Sequence, residues 1–453
     1  MKIALVHDYL REYGGAERVV EAMHEIWPEA PLYTSFVDWP SFAKAPAGKV
    51  DLFKSWDIRT SWLADNWFVR KFHSPLRFLA PLIWGSMDLS DYDVVISSSG
   101  WFMCRGIRTK RAEVGVPWFS RRQGPDPTSF HRGFFAKAVT ALETSHLAAR
   151  SNGPVHICYI HHPPRNLYGY PTGSDLQKYW PVRAYATIVN FFLRHYDWET
   201  AQQVDYFIAN SEETARRVKK FYRRESTVIY PPIGAGNHKS QIPMTKQILN
   251  SKFQIQKKNA YFLSVGRLTY SKRVDLAIMV CNRLKLPLKI VGTGKEEGYL
   301  QKLASQGQAL RSKNIEFLGP VSDEELGKLY AGAKALIFCA LEEDFGMVPV
   351  EAMAHGTPVI ALAQGGVVES VIDGQTGVLF REPTVASLAE GIERFEKLGR
   401  PAVAHALAGN AGDRWEENCR KQAKKSGKER FQKALLAFVN KFAASNPHLH
   451  NVR

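Results

Sequence analysis

The chain has 453 residues, long enough for two or three domains of about 150 residues each. With 45% hydrophobic and 23% charged residues it reads as an ordinary globular protein, which excludes wholesale disorder, and no stretch approaches the ~20 apolar residues that cross a bilayer. The net charge of +16 is unevenly placed: residues 105–132 carry seven Lys and Arg against two acids, and residues 401–453 carry ten against four. Such patches suit nucleic acid, anionic membrane or phosphorylated substrates, and charge alone does not choose among them.

The first residues, Lys2 to Asp8, read as a β-strand; the apolar run is too short for a signal peptide, so a cytoplasmic protein is expected. Further strands are predicted at 94–99, 155–160, 204–209 and 227–231, with helices at 15–27 and 212–222, the second capped by Asn210-Ser211. Residues 234–258 lose this pattern, gather Pro, Gly and polar residues, and read as a linker. Alternation then restarts, with strands near 260–266, 287–291, 314–318, 335–339, 358–362 and 377–380, one helix opening at the capping box Ser322-x-x-Glu325. A second capping box, Ser426 to Glu429, precedes a helix carrying Phe431, Leu435, Phe438 and Phe442 on one face, which must dock on its own domain or back on the first. The expected fold is α/β: two Rossmann-like domains, 1–233 and 259–425, facing a cleft, followed by a C-terminal helix and tail, 426–453, that packs toward the first domain.

Two regions break the rhythm. Residues 51–87 are rich in Trp (Trp56, Trp62, Trp67, Trp84) and basic side chains, and residues 100–132 show no periodicity. The five cysteines are scattered, odd in number and never spaced as metal ligands, which argues against disulfides and zinc and fits a reducing compartment.

The densest chemical signal is Glu343-Asp344-Phe345-Gly346-Met347-Val348-Pro349-Val350-Glu351, after an apolar strand and opening a helix. It places Glu343 in the strand-to-helix loop and Glu351 in the first turns of the helix. Between them the amides of Phe345, Gly346 and Met347 lie at a helix N-terminus, where anions bind. Like charges repel, so the two carboxylates suit hydroxyl groups flanking a phosphate, as in a nucleotide sugar; the structural alternative is a Glu that stabilises the helix dipole. Gly266 to Lys272 adds Arg267 and Lys272 at the carboxyl end of a strand, where open α/β sheets bind ligands and two cations could neutralise a diphosphate. Gly14-Gly15 forms a loop-to-helix turn whose free amides can approach a phosphate, although neither a full dinucleotide fingerprint nor a Walker loop is present. His161-His162-Pro163-Pro164-Arg165 makes a rigid polar rim after strand 155–160, with a structural and a catalytic His161 equally open.

Taken together these residues resemble glycosyltransferase family 4, the retaining enzymes of the GT-B fold. Arg267 and Lys272 match its Gly-Arg-Leu-x-x-x-Lys pattern, and Glu343 and Glu351 its Glu-x7-Glu motif. Gly365 to Glu369 and Asp373 to Gly377 match the run beyond, so nearly all of 260–396 is covered. The first domain is similar to bacterial mannosyltransferase-like enzymes of polysaccharide assembly at Val6-His7-Asp8 through Glu17, Tyr92-Asp93 through Ser99, Tyr159 to Arg165, and Val228 to Pro232.

The resemblance implies that Glu351 holds the donor ribose and Glu343 the donor sugar. It implies Arg267 and Lys272 on the diphosphate with Gly15 opposite, His161 beside sugar and acceptor, and Val321 near the base. One departure stands out: the stretch Gly133 to Val139, which in such enzymes closely follows the Ser-Ser-Ser-Gly strand end, comes 33 residues after Gly100. Residues 100–132 therefore look inserted, as a lid or as a defect of the sequence.

The reading is a retaining hexosyltransferase moving a sugar, mannose from GDP-mannose in the first instance, to a glycolipid or growing polysaccharide. No resident cofactor and no metal are expected, and peripheral contact with anionic membrane is expected through 51–87, the insert, or both. A nucleotide-sugar epimerase of the same fold and a noncatalytic nucleic-acid-binding protein are the alternatives; no nucleic-acid motif is present.

Overall fold

The computed structural model describes residues 1–42, 48–72, 74–109, 153–173, 178–233, 261–306, 314–399 and 411–443. Two sheets carry the fold. The first runs in the order β3-β2-β1-β4-β5-β6-β7, with β1 Ile3–His7, β2 Leu32–Thr34, β3 Ile58–Thr60, β4 Val94–Ser99, β5 Val155–Ile160, β6 Tyr206–Ala209 and β7 Ser226–Val228. The second runs β10-β9-β8-β11-β12-β13, with β8 Tyr261–Val265, β9 Leu288–Val291, β10 Ile315–Gly319, β11 Ala333–Phe338, β12 Val359–Leu362 and β13 Gly377–Phe380. Neighbouring strands pair in parallel in both sheets. A parallel sheet covered by helices on both faces needs apolar strands without alternation. Accordingly every residue of β1, β4 and β5 is buried.

Six helices matter for the cleft: α1 Gly15–His24, α2 Trp180–Gln203, α3 Glu212–Tyr222, α4 Asp323–Gly332, α5 Met347–Ala354 and α6 Lys428–Ala443. In each sheet the chain leaves the central strand in both directions, so the loops after β1 and β4, and after β8 and β11, diverge. That divergence opens a crevice at the carboxyl ends of the strands, where such sheets bind ligands. His7, Ser98 and Ser99 end on one crevice, and the loops holding Arg267, Lys272 and Glu343 end on the other.

The C-terminal helix does cross back. Phe431, Leu435 and Val439 are at most 1% exposed and join the core of the first sheet. Each such side chain contributes roughly 1.5–3 kcal/mol. Phe442 lies on Tyr206 with ring centroids 3.9 Å apart, and Lys428 pairs with Glu25. Val439, absent from the predicted stripe, takes the deep position beside a partly buried Phe438.

Several sequence expectations need correction. The Ser426 capping box does not form: Ser426 sits in a 3-10 turn, its carbonyl accepts from Ile233, and the Phe431 amide donates to Gly427, so the helix starts one residue later. The strands β2 and β3 were not predicted, because three residues carry too little periodicity. Val204 is the C-cap of α2 and not a strand residue. The first part of the suspected insert, residues 100–109, is tied into the core: Phe102, Met103 and Cys104 are buried, and the amides of Gly100, Phe102 and Cys104 donate to the Asp8 carboxylate at 2.9–3.0 Å. The rest of the suspected insert (110–132), the Gly133–Val139 stretch, the linker 234–258 and the tail from 444 lie outside the described residues. All five cysteines are free and buried.

Candidate active site

After β11 the chain turns into α5 through Gly346, whose φ of +84° is one that only glycine adopts without strain. Phe345 is anchored in the core against Tyr230, ring centroids 5.4 Å apart. Gly366 donates its amide to the Glu343 carbonyl at 2.7 Å, and a Cβ on Gly365 would sit 2.1 Å from that same oxygen. The Gly365-Gly366 pair is therefore a packing surface for the backbone that carries Glu343.

Lys272, in a 3-10 turn after β8, donates to the Glu343 carboxylate at 2.6 Å. Burial opposes charge on Glu343, but Lys272, Arg165 and Arg267 outweigh it and hold its pKa below the usual carboxylate range. Glu351 lies one turn further along α5 and is buried; Tyr330 of α4 donates to it at 3.4 Å, and Arg18 of α1 pairs with it from across the cleft. Arg267 pairs with Glu12 of the first domain at 2.7 Å. The two cations that the sequence offers to a diphosphate are thus each already holding a carboxylate. Val321 follows β10 after Pro320, one residue before the Ser322 N-cap of α4, and rests on the second-domain core. The predicted Ser322–Glu325 capping box forms.

The starts of α1 and α5 meet across the cleft. A Cβ on Gly15 would come within 2.8 Å of the Met347 sulfur, so only glycine fits without displacing it. The neighbouring Gly14 amide is not free, contrary to expectation: Glu17 Oε2 accepts it at 2.9 Å and caps the helix.

His161 follows β5, and its Nε2 lies 2.8 Å from Ser98 Oγ. Burial, with His7 and His162 nearby, pushes its pKa well below the ordinary imidazole value. Arg165, read from the sequence as a polar rim, reaches across the cleft: its guanidinium donates to the Glu342 carbonyl and the Asp344 carboxylate, both at 2.7 Å. Arg217 of α3 joins it, at 2.8 Å from Asp344 and 2.9 Å from Glu342. The loop that bears Glu343 is thereby clamped from the first domain. Glu369 completes the contact by accepting the amides of Glu212 and Glu213 at 2.8 Å, at the positive end of α3.

Sequence reasoning missed Arg18, Arg217, Glu12 and the clamping role of Asp344, because each partner lies more than a hundred residues away along the chain. Among the described residues, no group of three or more His, Cys, Asp and Glu side chains is placed to hold a metal ion.

The aromatic-basic segment 51–87 divides. Trp84 is fully buried and Trp56 stacks on His24, whereas Trp62 and Trp67 are 66% and 62% exposed. Beside it α2 presents Trp180, Ile188 and Phe191, exposed by 63–73%, together with exposed Arg183 and Arg194. Arg77–Asn190 and Tyr185–Pro75 hydrogen bonds join the two into one surface. No helix among the described residues is long and apolar enough to cross a membrane.

Residues 245–422 match the model of the family described as Glycosyl transferases group 1. The chain is 37% identical over 160 residues to the glycogen synthase of Mycobacterium tuberculosis, covering 34% of this chain and 38% of that one. It is 28% identical over 281 residues to the mouse alpha-1,3/1,6-mannosyltransferase ALG2, covering 56% and 64%. The curated relatives named here are thus matched over less than two thirds of their length. Anabaena Alr3699/HepE, solved in complex with UDP-glucose, superposes with a TM-score of 0.58 at 15% identity, covering 97% of this chain and all of that one. The fold is GT-B. Within it the Glu343–Glu351 loop and helix belong to the region that matches the family, whereas His161 and its neighbours lie outside that region.

Proposed function

We propose that the protein is a retaining glycosyltransferase that moves a hexose from a nucleoside-diphosphate sugar to a hydroxyl of a glycolipid or growing cell-envelope polysaccharide. The observation that carries this reading is the opposition, across one GT-B cleft, of the Lys272–Glu343 pair at the start of α5 and the Gly15 start of α1, with Glu351 one turn beyond. A donor diphosphate at the α5 N-terminus meets the amides of Phe345, Gly346 and Met347 and the cations Arg267 and Lys272, with Gly15 opposite. Glu351 takes the ribose hydroxyls, Glu343 the sugar hydroxyls, and Val321 the neighbourhood of the base. His161 stands on the sugar and acceptor side. As the glycosidic bond breaks, negative charge grows on the departing diphosphate, and fixed donors beside it lower that barrier more than they stabilise the ground state. The departing phosphate oxygen takes the acceptor proton in a front-face attack, with no metal required.

GDP-mannose is the first donor to test, in keeping with the likeness to the mouse mannosyltransferase; UDP-glucose is the second. The joined surface of segment 51–87 and α2 supports peripheral docking on the cytoplasmic face of an anionic membrane, each nearby Lys or Arg adding about 1 kcal/mol. Vesicle flotation at low and high salt tests it; the expected result is binding at low salt only, and failure to float at low salt removes the docking.

The deciding experiment is a thermal-shift panel of GDP-, UDP- and ADP-sugars followed by an acceptor assay. A ligand at 100 times its dissociation constant adds about 2.7 kcal/mol. Transfer requires nucleoside diphosphate release that depends on acceptor; acceptor-independent interconversion of sugars indicates an epimerase instead, and stabilisation by no nucleotide sugar overturns the proposal.

A further inference from the structure

Four polar side chains from four separate segments meet in a line beneath the first-domain face of the cleft. His7 ends β1, and its Cα is the register partner of Ser98 on β4. Its Nδ1 lies 3.2 Å from both the carbonyl and the hydroxyl oxygen of Ser98. Its Nε2 lies 3.5 Å from Glu17 Oε1, and the other oxygen of Glu17 accepts the Gly14 amide. Ser98 Oγ in turn lies 2.8 Å from His161 Nε2. His7, Glu17 and Ser98 are each no more than 7% exposed.

Donor and acceptor chemistry fixes the protons. A carbonyl only accepts, so His7 Nδ1 must carry hydrogen; an ionised carboxylate only accepts, so His7 Nε2 carries hydrogen as well. His7 is then an imidazolium between Glu17 and Ser98. Burial disfavours that charge, but Glu17 and Asp8 outweigh it and raise the pKa of His7. The Ser98 hydroxyl accepts from His7 and keeps a proton that must be satisfied in a buried site, and the acceptor nitrogen within reach of it, at 2.8 Å, is His161 Nε2. A bare Nε2 on a neutral imidazole puts the hydrogen on Nδ1, which has no hydrogen-bond partner among the described residues. The other groups packed around the pair do not reverse this. Asp8 is held by three backbone amides, Cys104 Sγ donates to the Ser98 carbonyl at 3.3 Å, and His162 Nδ1 contacts the Pro163 carbonyl.

We propose that Glu17, His7 and Ser98 form a positioning relay that fixes the proton of His161 on Nδ1, so that His161 offers a hydrogen-bond donor, not a base, to the ligand in the cleft. The proposal rests on the glycosyl-transfer reading for what that ligand is, and on geometry alone for the tautomer. A donor at that place suits a sugar hydroxyl or ring oxygen and excludes abstraction of the acceptor proton by His161. Removing Ser98 Oγ leaves both tautomers open.

The test is a long-range 15N–1H correlation spectrum of the full chain labelled on histidine, with His161 assigned by its loss in His161→Gln. The expected wild-type spectrum near neutral pH shows His161 as the Nδ1–H tautomer and His7 doubly protonated; His161 protonated on Nε2 overturns the relay without any variant. Ser98→Ala is expected to mix the tautomers and to lower kcat by about 10- to 100-fold with little change in KM, the range for removing an orienting outer partner. Ser98→Thr, which keeps the hydroxyl, is expected to restore both readings, and an unchanged tautomer in Ser98→Ala overturns the relay. Should no nucleotide sugar be turned over at all, the functional reading fails while the spectrum still decides the relay.

Discussion

The two faces of the cleft are assembled in different ways. On the second-domain face, the side chains proposed to hold the donor phosphates and hydroxyls come from two short stretches of chain, Gly266–Lys272 and Glu343–Glu351, each a single strand-to-helix connection. Helical spacing alone puts Glu351 one turn beyond the Glu343 loop, and the strand ends place Lys272 against Glu343 at 2.6 Å. On the first-domain face, Glu17 reaches His7 through the β1–α1 connection, but His7, Ser98 and His161 come from β1, β4 and the loop after β5, and sheet register brings these three together. The difference teaches that a ligand site built on one connection is local chemistry, while one built across strands is a property of the sheet. Substitutions on the first kind should act on a single contact, and on the second they should act through a neighbour.

The largest expected effects are on the local face. Arg267→Ala and Lys272→Ala should each lower kcat by about 10²–10³, by analogy with the loss of one preorganised donor to a developing charge. Arg267→Lys should recover only part, because charge returns without the planar fork. Steady-state kinetics with the best donor check this; an unchanged kcat with a raised KM would mean that these cations bind the donor without assisting its departure. Next in size, Glu351→Ala should weaken nucleoside diphosphate binding by about 1.5–3 kcal/mol, the value of a hydrogen bond to a charged group, whereas Glu343→Ala should act mainly on turnover. Titration calorimetry separates the two. Arg18→Ala should shift the same affinity in the opposite direction, by a few-fold, since it frees the Glu351 carboxylate; weaker binding would instead make Arg18 part of the donor site.

The register-built face should show itself in acid. Burial, with Arg105 nearby, pushes the His156 pKa down to about 3, and His161 is lowered too. Both are held neutral in the folded chain, while the unfolded chain takes up protons below its ordinary pKa of about 6.5. The contribution of these two histidines is therefore complete above that value and falls with pH below it, by about 1.4 kcal/mol per unit for each. Denaturant midpoints of wild type and His156→Gln between pH 4 and pH 7 check the slope, which the substitution should reduce by one histidine's share. The smallest effect is none at all: with excess EDTA the rate should hold, and a rate that collapses and returns with magnesium or manganese would overturn the metal-free reading.

Much of this molecule was legible before any coordinates. The strands β1, β4 and β5 were legible from their short apolar stretches, although β4 ends in Ser97-Ser98-Ser99 and β5 holds His156; two such series gave the pair of Rossmann-like domains, and the GT-B reading came from the resemblance at Arg267, Lys272, Glu343 and Glu351. Glu343, Gly346 and Glu351 were legible because their relation is set within nine residues of chain. The reach of Arg165 and Arg217 to Asp344 was not, nor was Arg18 on Glu351: no local pattern encodes a partner 125–333 residues distant. The helix α2 was missed as well, because its exposed face carries Trp180, Ile188 and Phe191 and blurs the stripe by which a surface helix is recognised.

By itself, then, the sequence determined the class of fold, the strand-to-helix loop that carries Glu343 and Glu351, and the apolar stripe of the C-terminal helix, since each depends on periodicity and on spacing within one connection. Only the tertiary structure decided which charges oppose one another across the cleft, that Gly15 lies against the Met347 sulfur, and that His7 and Ser98 stand behind His161. Those are consequences of sheet register and of how two domains meet, and a one-dimensional pattern holds neither distance.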